Sequence, residues 1–188
     1  HISQNGLVTA VRNSLEISRI NPATLKLEIT ESTAMEDAER TVKVLAELKK
    51  VGVQLSIDDF GTGYSSLSYL HSLPFDTLKI DRSFVYKVGE NGENSEVLQT
   101  IVSLAQNLRM KVIAEGIETE NQLQLLRSLG CDFGQGFYMS KPLPKDQMEV
   151  LLYQKRHWFP KSAADEDFDT SSSGNISNDI IYSTKVSH

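Results

Sequence analysis

The chain has 188 residues, 39% of them hydrophobic, which is enough for one globular domain of ordinary size. Its formal net charge of −6 argues against binding to nucleic-acid polymers through their phosphates, although metal ions can offset the charge of a small anionic ligand. No apolar run reaches the length of a membrane span, no secretory signal is visible, and the single cysteine, Cys131, excludes an internal disulfide. These features predict a cytoplasmic chain with Cys131 as a small buried residue, although a parent protein can be membrane-anchored through further N-terminal regions.

Short runs with a β-type pattern recur along the chain, with helical patterns between them. The predicted strands are Leu25–Thr30, Val53–Asp58, Thr77–Asp81, Lys111–Glu115 and Asp132–Tyr138. Strands that alternate with helices predict a parallel sheet. The sequence starts with His1 rather than Met and runs straight into an amphipathic segment, so we expect it to come from a longer protein.

Two helices carry signals at their ends. Thr33 and Glu36 are a candidate capping box for a helix that stops near Gly52. Thr119 and Gln122 are a second candidate box, ahead of a leucine-rich helical pattern.

The second strand separates polar from apolar residues, with Gln54, Ser56 and Asp58 on one face. A doubly wound sheet is usually apolar on both faces because helices cover both. Polar residues on one face instead indicate a barrel with a partly polar interior. A (β/α)₈ barrel needs about 250 residues, so five strands predict an incomplete barrel that lacks roughly three strands on the N-terminal side.

The composition changes after Pro160. The remainder of the chain is rich in Ser, Asp and Asn and has little apolar periodicity, which predicts disorder. We therefore assign residues 1–156 to the folded domain and residues 157–188 to a disordered tail.

Asp58 and Asp59 stand side by side where an apolar run gives way to a glycine-rich loop. Adjacent strand residues point to opposite faces, so both carboxylates serve one site only if the backbone turns, and Gly61 and Gly63 allow that turn. A tight acidic pair holds hard cations, and two close cations suit phosphoryl chemistry. Alone, an Asp-Asp pair before glycine is more often a turn or a helix cap.

More titratable and amide side chains collect at the predicted strand ends. They are Glu28, Asp58, Asp59, Lys79, Asp81, Glu115 and Glu118, with Gln135 inside the fifth predicted strand. The carboxyl ends of barrel strands form the active-site face, and carboxylates that converge there without metal repel one another. Two divalent cations remove that cost and promote ionisation of a water nucleophile. Each residue alone is more often a cap, a solvated turn or a surface charge, but their joint placement favours a site.

The chain resembles the EAL-domain family of cyclic-di-GMP phosphodiesterases in several long segments, which follow the family's order. These segments are Leu27–Glu31, Asp58–Leu67, Leu78–Val85, Ala114–Thr119, Gly134–Gly136 and Lys141–Pro144. The resemblance runs to about residue 152 and implies a modified (β/α)₈, TIM-type barrel. It also implies hydrolysis of cyclic di-GMP to linear pGpG at a site with two Mg²⁺ or Mn²⁺ ions, in bacterial second-messenger signalling.

The resemblance implies that Glu28, Asp58 and Asp59 are metal ligands. Asp81 resembles the family's supporting carboxylate at the metal site.

The other matched residues have different implied roles. Lys79 is the candidate that positions or deprotonates the attacking water, and Glu115 is a further catalytic carboxylate. Glu118 and Gln135 match positions tied to substrate binding or site organisation. Glu31 could be a cap, a ligand or a loop tether from its position alone, and the resemblance favours the tether for the loop after Asp59.

The chain departs from the family in one respect. The Glu-Ala-Leu signature and the following Asn-bearing strand, each a source of a metal ligand, belong upstream of His1. We expect truncation, which leaves an open barrel with exposed strand edges that favour aggregation. The 188-residue chain alone is therefore predicted to fold poorly or to be inactive.

The family further implies a homodimer and an upstream GGDEF or sensory domain. Two alternatives to the enzyme stay open from the sequence. One is a receptor that binds cyclic di-GMP without cleaving it, and the other is an interaction domain that acts through dimer contacts.

Overall fold

The computed structural model of the chain describes residues 4–63, 70–87 and 95–153. The tail predicted from residue 157 lies outside the described residues. The elements are α1 (Gln4–Ser18), a 3₁₀ turn (Pro22–Thr24), β1 (Lys26–Thr30), α2 (Glu31–Glu36), α3 (Ala38–Val51), β2 (Gln54–Phe60), β3 (Thr77–Ile80), α4 (Arg82–Tyr86), α5 (Ser95–Asn107), β4 (Lys111–Glu115), α6 (Glu120–Ser128), β5 (Phe133–Gln135) and α7 (Lys145–Tyr153). Within these ranges, no helix combines the length and the apolar character that crossing a bilayer requires.

The strands form one five-stranded sheet in which every neighbouring pair is parallel and the order is β1-β2-β3-β4-β5. In a doubly wound sheet the order reverses at a switch point, whereas in a β/α barrel it follows the chain. Within the described ranges, β1 and β5 each have one edge without a strand partner, and the barrel is not closed. The predicted incomplete barrel of five strands is confirmed.

The two faces of the sheet differ in polarity, as the alternation in β2 indicated. The face that packs on the helices carries fully buried apolar side chains, among them Leu55, Ile57, Leu78, Ile80 and Val112. Burial of each such side chain contributes about 1.5–3 kcal/mol to folding. The other face carries buried polar side chains, namely Ser56, Asp58, Thr77, Lys79 and Glu115. The apolar face therefore packs the strands against the helices, and the polar face carries the side chains that can form a site.

One predicted helix cap is wrong, and one is confirmed. Thr33 lies inside α2, and its backbone N–H donates to the side chain of Thr30, which is the N-cap because β1 passes directly into α2. The following helix, α3, has its own N-cap in Asp37, so no box links Thr33 to Glu36. The capping box of Thr119 with Gln122 is present at the start of α6.

An aspartate just before β3 binds the amino-terminal end of the neighbouring strand β2. Asp76, just before β3, accepts hydrogen bonds from the backbone N–H of Leu55 and from Lys49 Nζ, each at 2.8 Å. Buried backbone N–H groups need hydrogen-bond partners, and this carboxylate supplies one for Leu55 near the start of β2. These contacts lie at the amino-terminal ends of the strands, away from the carboxyl-terminal edge of the sheet.

The cysteine is partly buried rather than fully buried. Cys131 packs against the core, and burial together with the neighbouring Asp132 raises the pKa of its thiol to about 12. It is therefore a protonated thiol near neutral pH and behaves as a small apolar residue.

Candidate active site

A buried lysine lies at the centre of the polar face. Lys79, in β3, has 1% of its side chain exposed, and its Nζ lies 2.8 Å from Glu28 Oε2 and 3.0 Å from Asp58 Oδ1. The same Nζ lies 2.6 Å from Glu115 Oε1. The three carboxylates come from β1, β2 and β4, so one ammonium joins the carboxyl-terminal halves of four strands.

The charge of this lysine is fixed by its partners. Burial opposes the ammonium, but hydrogen bonds to Glu115, Glu28 and Asp58 outweigh burial and raise the pKa of Lys79 above its ordinary value. Lys79 is therefore a cation in this arrangement. Three carboxylates against one ammonium still leave an excess of negative charge, which divalent cations would offset.

The adjacent aspartates reach the same region because β2 is irregular at its end. The pairing of β2 with β3 shifts register between Ile57 and Phe60, and Asp59 has a left-handed backbone with φ 53°. The backbone N–H of Asp59 donates to Asp58 Oδ1 at 3.0 Å. The turn was expected at the glycines, but it begins at Asp59 itself, a residue type that tolerates this conformation better than most.

Three carboxylates are close enough to hold a metal ion. We call Asp58, Asp59 and Glu115 the acidic cluster. Each contributes one carboxylate oxygen, and these three oxygens lie within 4.8 Å of one another. Carboxylate oxygens are hard ligands, which suit Mg²⁺, Mn²⁺ and Ca²⁺. The donor set therefore fits a divalent cation, and Glu28 is connected to the cluster through Lys79.

Gln135 borders the acidic cluster from β5. Its Nε2 donates to Glu115 Oε1 at 2.9 Å, which sets the orientation of the amide. Its Oε1 is buried and, among the described residues, has no hydrogen-bond partner. A water or a substrate N–H at this position would satisfy that acceptor, so the amide adds a polar contact point beside the carboxylates.

Glu31 holds the loop after the acidic pair. It is 1% exposed at the start of α2, and its Oε2 accepts from the backbone N–H of Gly61 at 2.7 Å and of Gly63 at 3.3 Å. This contact is the one expected of a loop tether.

Two predicted site residues lie outside these contacts. Asp81 Oδ1 accepts from Ser83 N at 2.9 Å and caps α4. Glu118 is exposed, and its backbone N–H donates to Gln122 Oε1 at 2.8 Å. The structure thus brings six of the predicted site residues together around Lys79 and the acidic cluster: Glu28, Asp58, Asp59, Lys79, Glu115 and Gln135. Asp81 instead caps α4, and Glu118 lies exposed just before α6.

Phe84 was given no role from the sequence, although its ring lies against the loop that follows Asp59 and β2. A Cβ built on Gly61, whose φ is +95°, would be 2.7 Å from Phe84 Cε2 and Cζ. Gly61 in the sequence indicated a turn, but nothing in the sequence indicated that Phe84 packs beside this glycine.

The sequence matches known proteins over most of its length. The EAL domain family matches residues 1–142. The bifunctional diguanylate cyclase/cyclic di-GMP phosphodiesterase MucR of Pseudomonas aeruginosa is 47% identical over 143 residues, covering 76% of this chain and 21% of MucR. The cyclic di-GMP phosphodiesterase NbdA of the same species is 44% identical over 152 residues, covering 81% of this chain and 19% of NbdA. The chain thus spans about a fifth of each of these relatives.

Solved structures agree with the sequence matches. The MucR phosphodiesterase in complex with cyclic di-GMP superposes with a TM-score of 0.74 at 46% identity, covering 78% of this chain and 60% of that one. The complex of Klebsiella pneumoniae BlrP1 with manganese and cyclic di-GMP gives a TM-score of 0.66 at 33% identity, covering 72% of this chain and 34% of that one.

Proposed function

Because the chain belongs to the EAL domain family, we propose that its protein hydrolyses one phosphodiester bond of cyclic di-GMP to give linear pGpG, with Mg²⁺ or Mn²⁺ as cofactor. The observation that carries this proposal is the contact of Lys79 with Glu28 and with two members of the acidic cluster, Asp58 and Glu115. Two further observations support it. The similar proteins MucR and NbdA are named as cyclic di-GMP phosphodiesterases, and the similar BlrP1 structure is a complex with manganese and cyclic di-GMP.

We propose that Asp58, Asp59 and Glu115 hold the divalent cations, with Glu28 at the edge of the same site. Bound cations supply Lewis-acid chemistry, which offsets the phosphodiester charge and promotes ionisation of the attacking water. Asp58 and Asp59 contribute because the irregular end of β2 brings both carboxylates to one side. We also propose that Asp81 supports the metal site, as the resemblance implied, from its position as the N-cap of α4.

The role that the geometry supports for Lys79 is to orient carboxylates and to stabilise charge. Its ammonium already donates to Glu28, Asp58 and Glu115, and this keeps their oxygens at one end of the sheet. A fixed positive charge in a buried site stabilises the negative charge that develops on a phosphoryl group. Without bound metal, hydrogen bonds to Glu115, Glu28 and Asp58 raise the pKa of Lys79, which favours the ammonium.

Gln135 and Glu118 have supporting parts in this proposal. Gln135 Nε2 fixes one oxygen of Glu115, and its buried Oε1 is available to a donor on water or on the nucleotide. Glu118 is exposed on the loop after β4, where it is accessible to a substrate approaching the carboxyl-terminal edge.

The experiment that tests the proposal is product analysis of cyclic di-GMP incubated with the full-length protein. We use the full-length protein because we expect the 188-residue chain alone, whose described sheet keeps two unpaired edges, to turn over poorly. We expect pGpG to appear with Mg²⁺ or Mn²⁺ and not after chelation. Nucleotide that is bound but uncleaved in the presence of both metals would reject the enzyme and favour a receptor.

A further inference from the structure

The short helix α4 lies between the two loops that leave the candidate active site. On one side, the ring of Phe84 occupies the space where a Cβ on Gly61 would lie, in the loop after β2. On the other side, a Cβ on Gly116 would be 2.5 Å from Arg82 Cβ, in the loop after β4. Both glycines have positive φ, +95° and +74°, so each loop passes the helix in a conformation that other residues avoid.

Further contacts hold α4 in place. Asp81 caps its first turn, and Val85 is fully buried in the core. Gln122 Nε2 donates to Val85 O at 3.3 Å, while Gln122 Oε1 accepts from the backbone of the loop after β4. The helix is therefore attached to the core and to the start of α6, and it gives the loop after β2 a fixed surface to rest on.

The backbone of Asp59 needs such support. Its φ of 53° is left-handed, a conformation that aspartate tolerates better than most residues but that still costs conformational energy, so contacts around it help to hold it. The loop immediately after it is held from both sides, and Thr62 Oγ1 also donates to Asp59 O at 2.8 Å. Glu31 bonds the N–H groups of Gly61 and Gly63 on one side, and Phe84 packs on Gly61 on the other.

We propose that Phe84 is a positioning residue for the carboxylate of Asp59 and acts through Gly61, without touching metal or substrate. The inference rests on the proposed function, because it takes Asp59 as a metal ligand. Removal of the ring leaves space beside Gly61 and lets the loop relax away from the acidic cluster. Residues that orient ligands in this way typically change metal affinity by about 10- to 100-fold.

The test is a titration of Mn²⁺ into the full-length protein, with free ion measured by electron paramagnetic resonance. We expect Phe84→Ala to weaken Mn²⁺ binding about tenfold or more and Phe84→Leu to weaken it less. Tyr86→Ala, on the same helix but with 76% of the residue exposed, should bind as the wild type does. Leu98→Ala, in the core at α5, should lower the melting temperature without changing Mn²⁺ affinity.

A double-mutant cycle keeps the inference testable if Phe84→Ala fails to fold. Gly61→Ala introduces both strain and a clash with the ring, and Phe84→Leu should relieve the clash alone. We therefore expect the effects of the two substitutions on Mn²⁺ affinity to be non-additive. Additive effects, or wild-type affinity in the Phe84 variants, would overturn the positioning role. Absence of Mn²⁺ binding by the wild type would instead reject the proposed function.

Discussion

Replacement of Lys79 by methionine in the full-length protein is expected to lower cyclic di-GMP turnover by about 10²- to 10⁴-fold. The substitution removes the cation that contacts Glu28, Asp58 and Glu115 and leaves those carboxylates facing one another without a counter-charge. Removal of one partner of a buried ion pair costs about 3–5 kcal/mol of stability. The melting temperature without metal should therefore fall, and added Mn²⁺ should recover more of it than in the wild type.

Lys111 provides the matched control for this experiment. It lies in the neighbouring strand β4 and also has a carboxylate at 2.6 Å, that of Asp132, but its side chain is 66% exposed and at the opposite end of the sheet. Lys111→Met should keep turnover near the wild-type level, because exposed pairs of this kind contribute little. Turnover by Lys79→Met that matches the control would contradict the role of the buried lysine.

Neutralisation of the acidic pair is expected to have the second large effect. Asp58→Asn and Asp59→Asn should each weaken Mn²⁺ binding by more than about tenfold and reduce turnover by about 100-fold. Asparagine keeps the shape of aspartate and tolerates the left-handed backbone of residue 59, so the change isolates the charge. The measurement is a Mn²⁺ titration with parallel kinetics over a range of metal concentrations.

The control for the acidic pair is Asp132→Asn. Asp132 also accepts from a backbone N–H and from a lysine, but it does so at the amino-terminal end of the sheet. This variant should lose some stability and keep its metal affinity. If Asp58→Asn and Asp59→Asn bind Mn²⁺ as tightly as Asp132→Asn does, the acidic cluster is not the metal site.

The barrel-type sheet was predictable because its signal is local and repeated. The alternation of Leu55 and Ile57 with Ser56 and Asp58 defines an apolar and a polar face, and the recurrence of strand and helix predicts parallel neighbours. The convergence of Glu28, Asp58, Lys79 and Glu115 follows from that topology, since parallel strands bring their carboxyl ends to one edge. Pattern and topology together were enough to place these four residues.

The details that the sequence did not reveal depend on contacts between elements. The capping box at Thr33 was wrong because Thr30, at the end of a strand, had already started the helix. The left-handed Asp59 arises where the register of β2 against β3 shifts, which a single strand cannot reveal. The position of Phe84 beside Gly61 needs the path of α4, and local spacing carries no information on it.

Asp58, Asp59 and Glu115 are proposed to form the metal centre that acts on cyclic di-GMP. The most direct test is an anomalous difference map at the manganese absorption edge, from crystals of the full-length protein grown with cyclic di-GMP and Mn²⁺. We expect a peak within about 2.0–2.6 Å of oxygens of these three residues, next to the phosphodiester. Bound nucleotide with no manganese peak there, or with peaks only elsewhere, would contradict it.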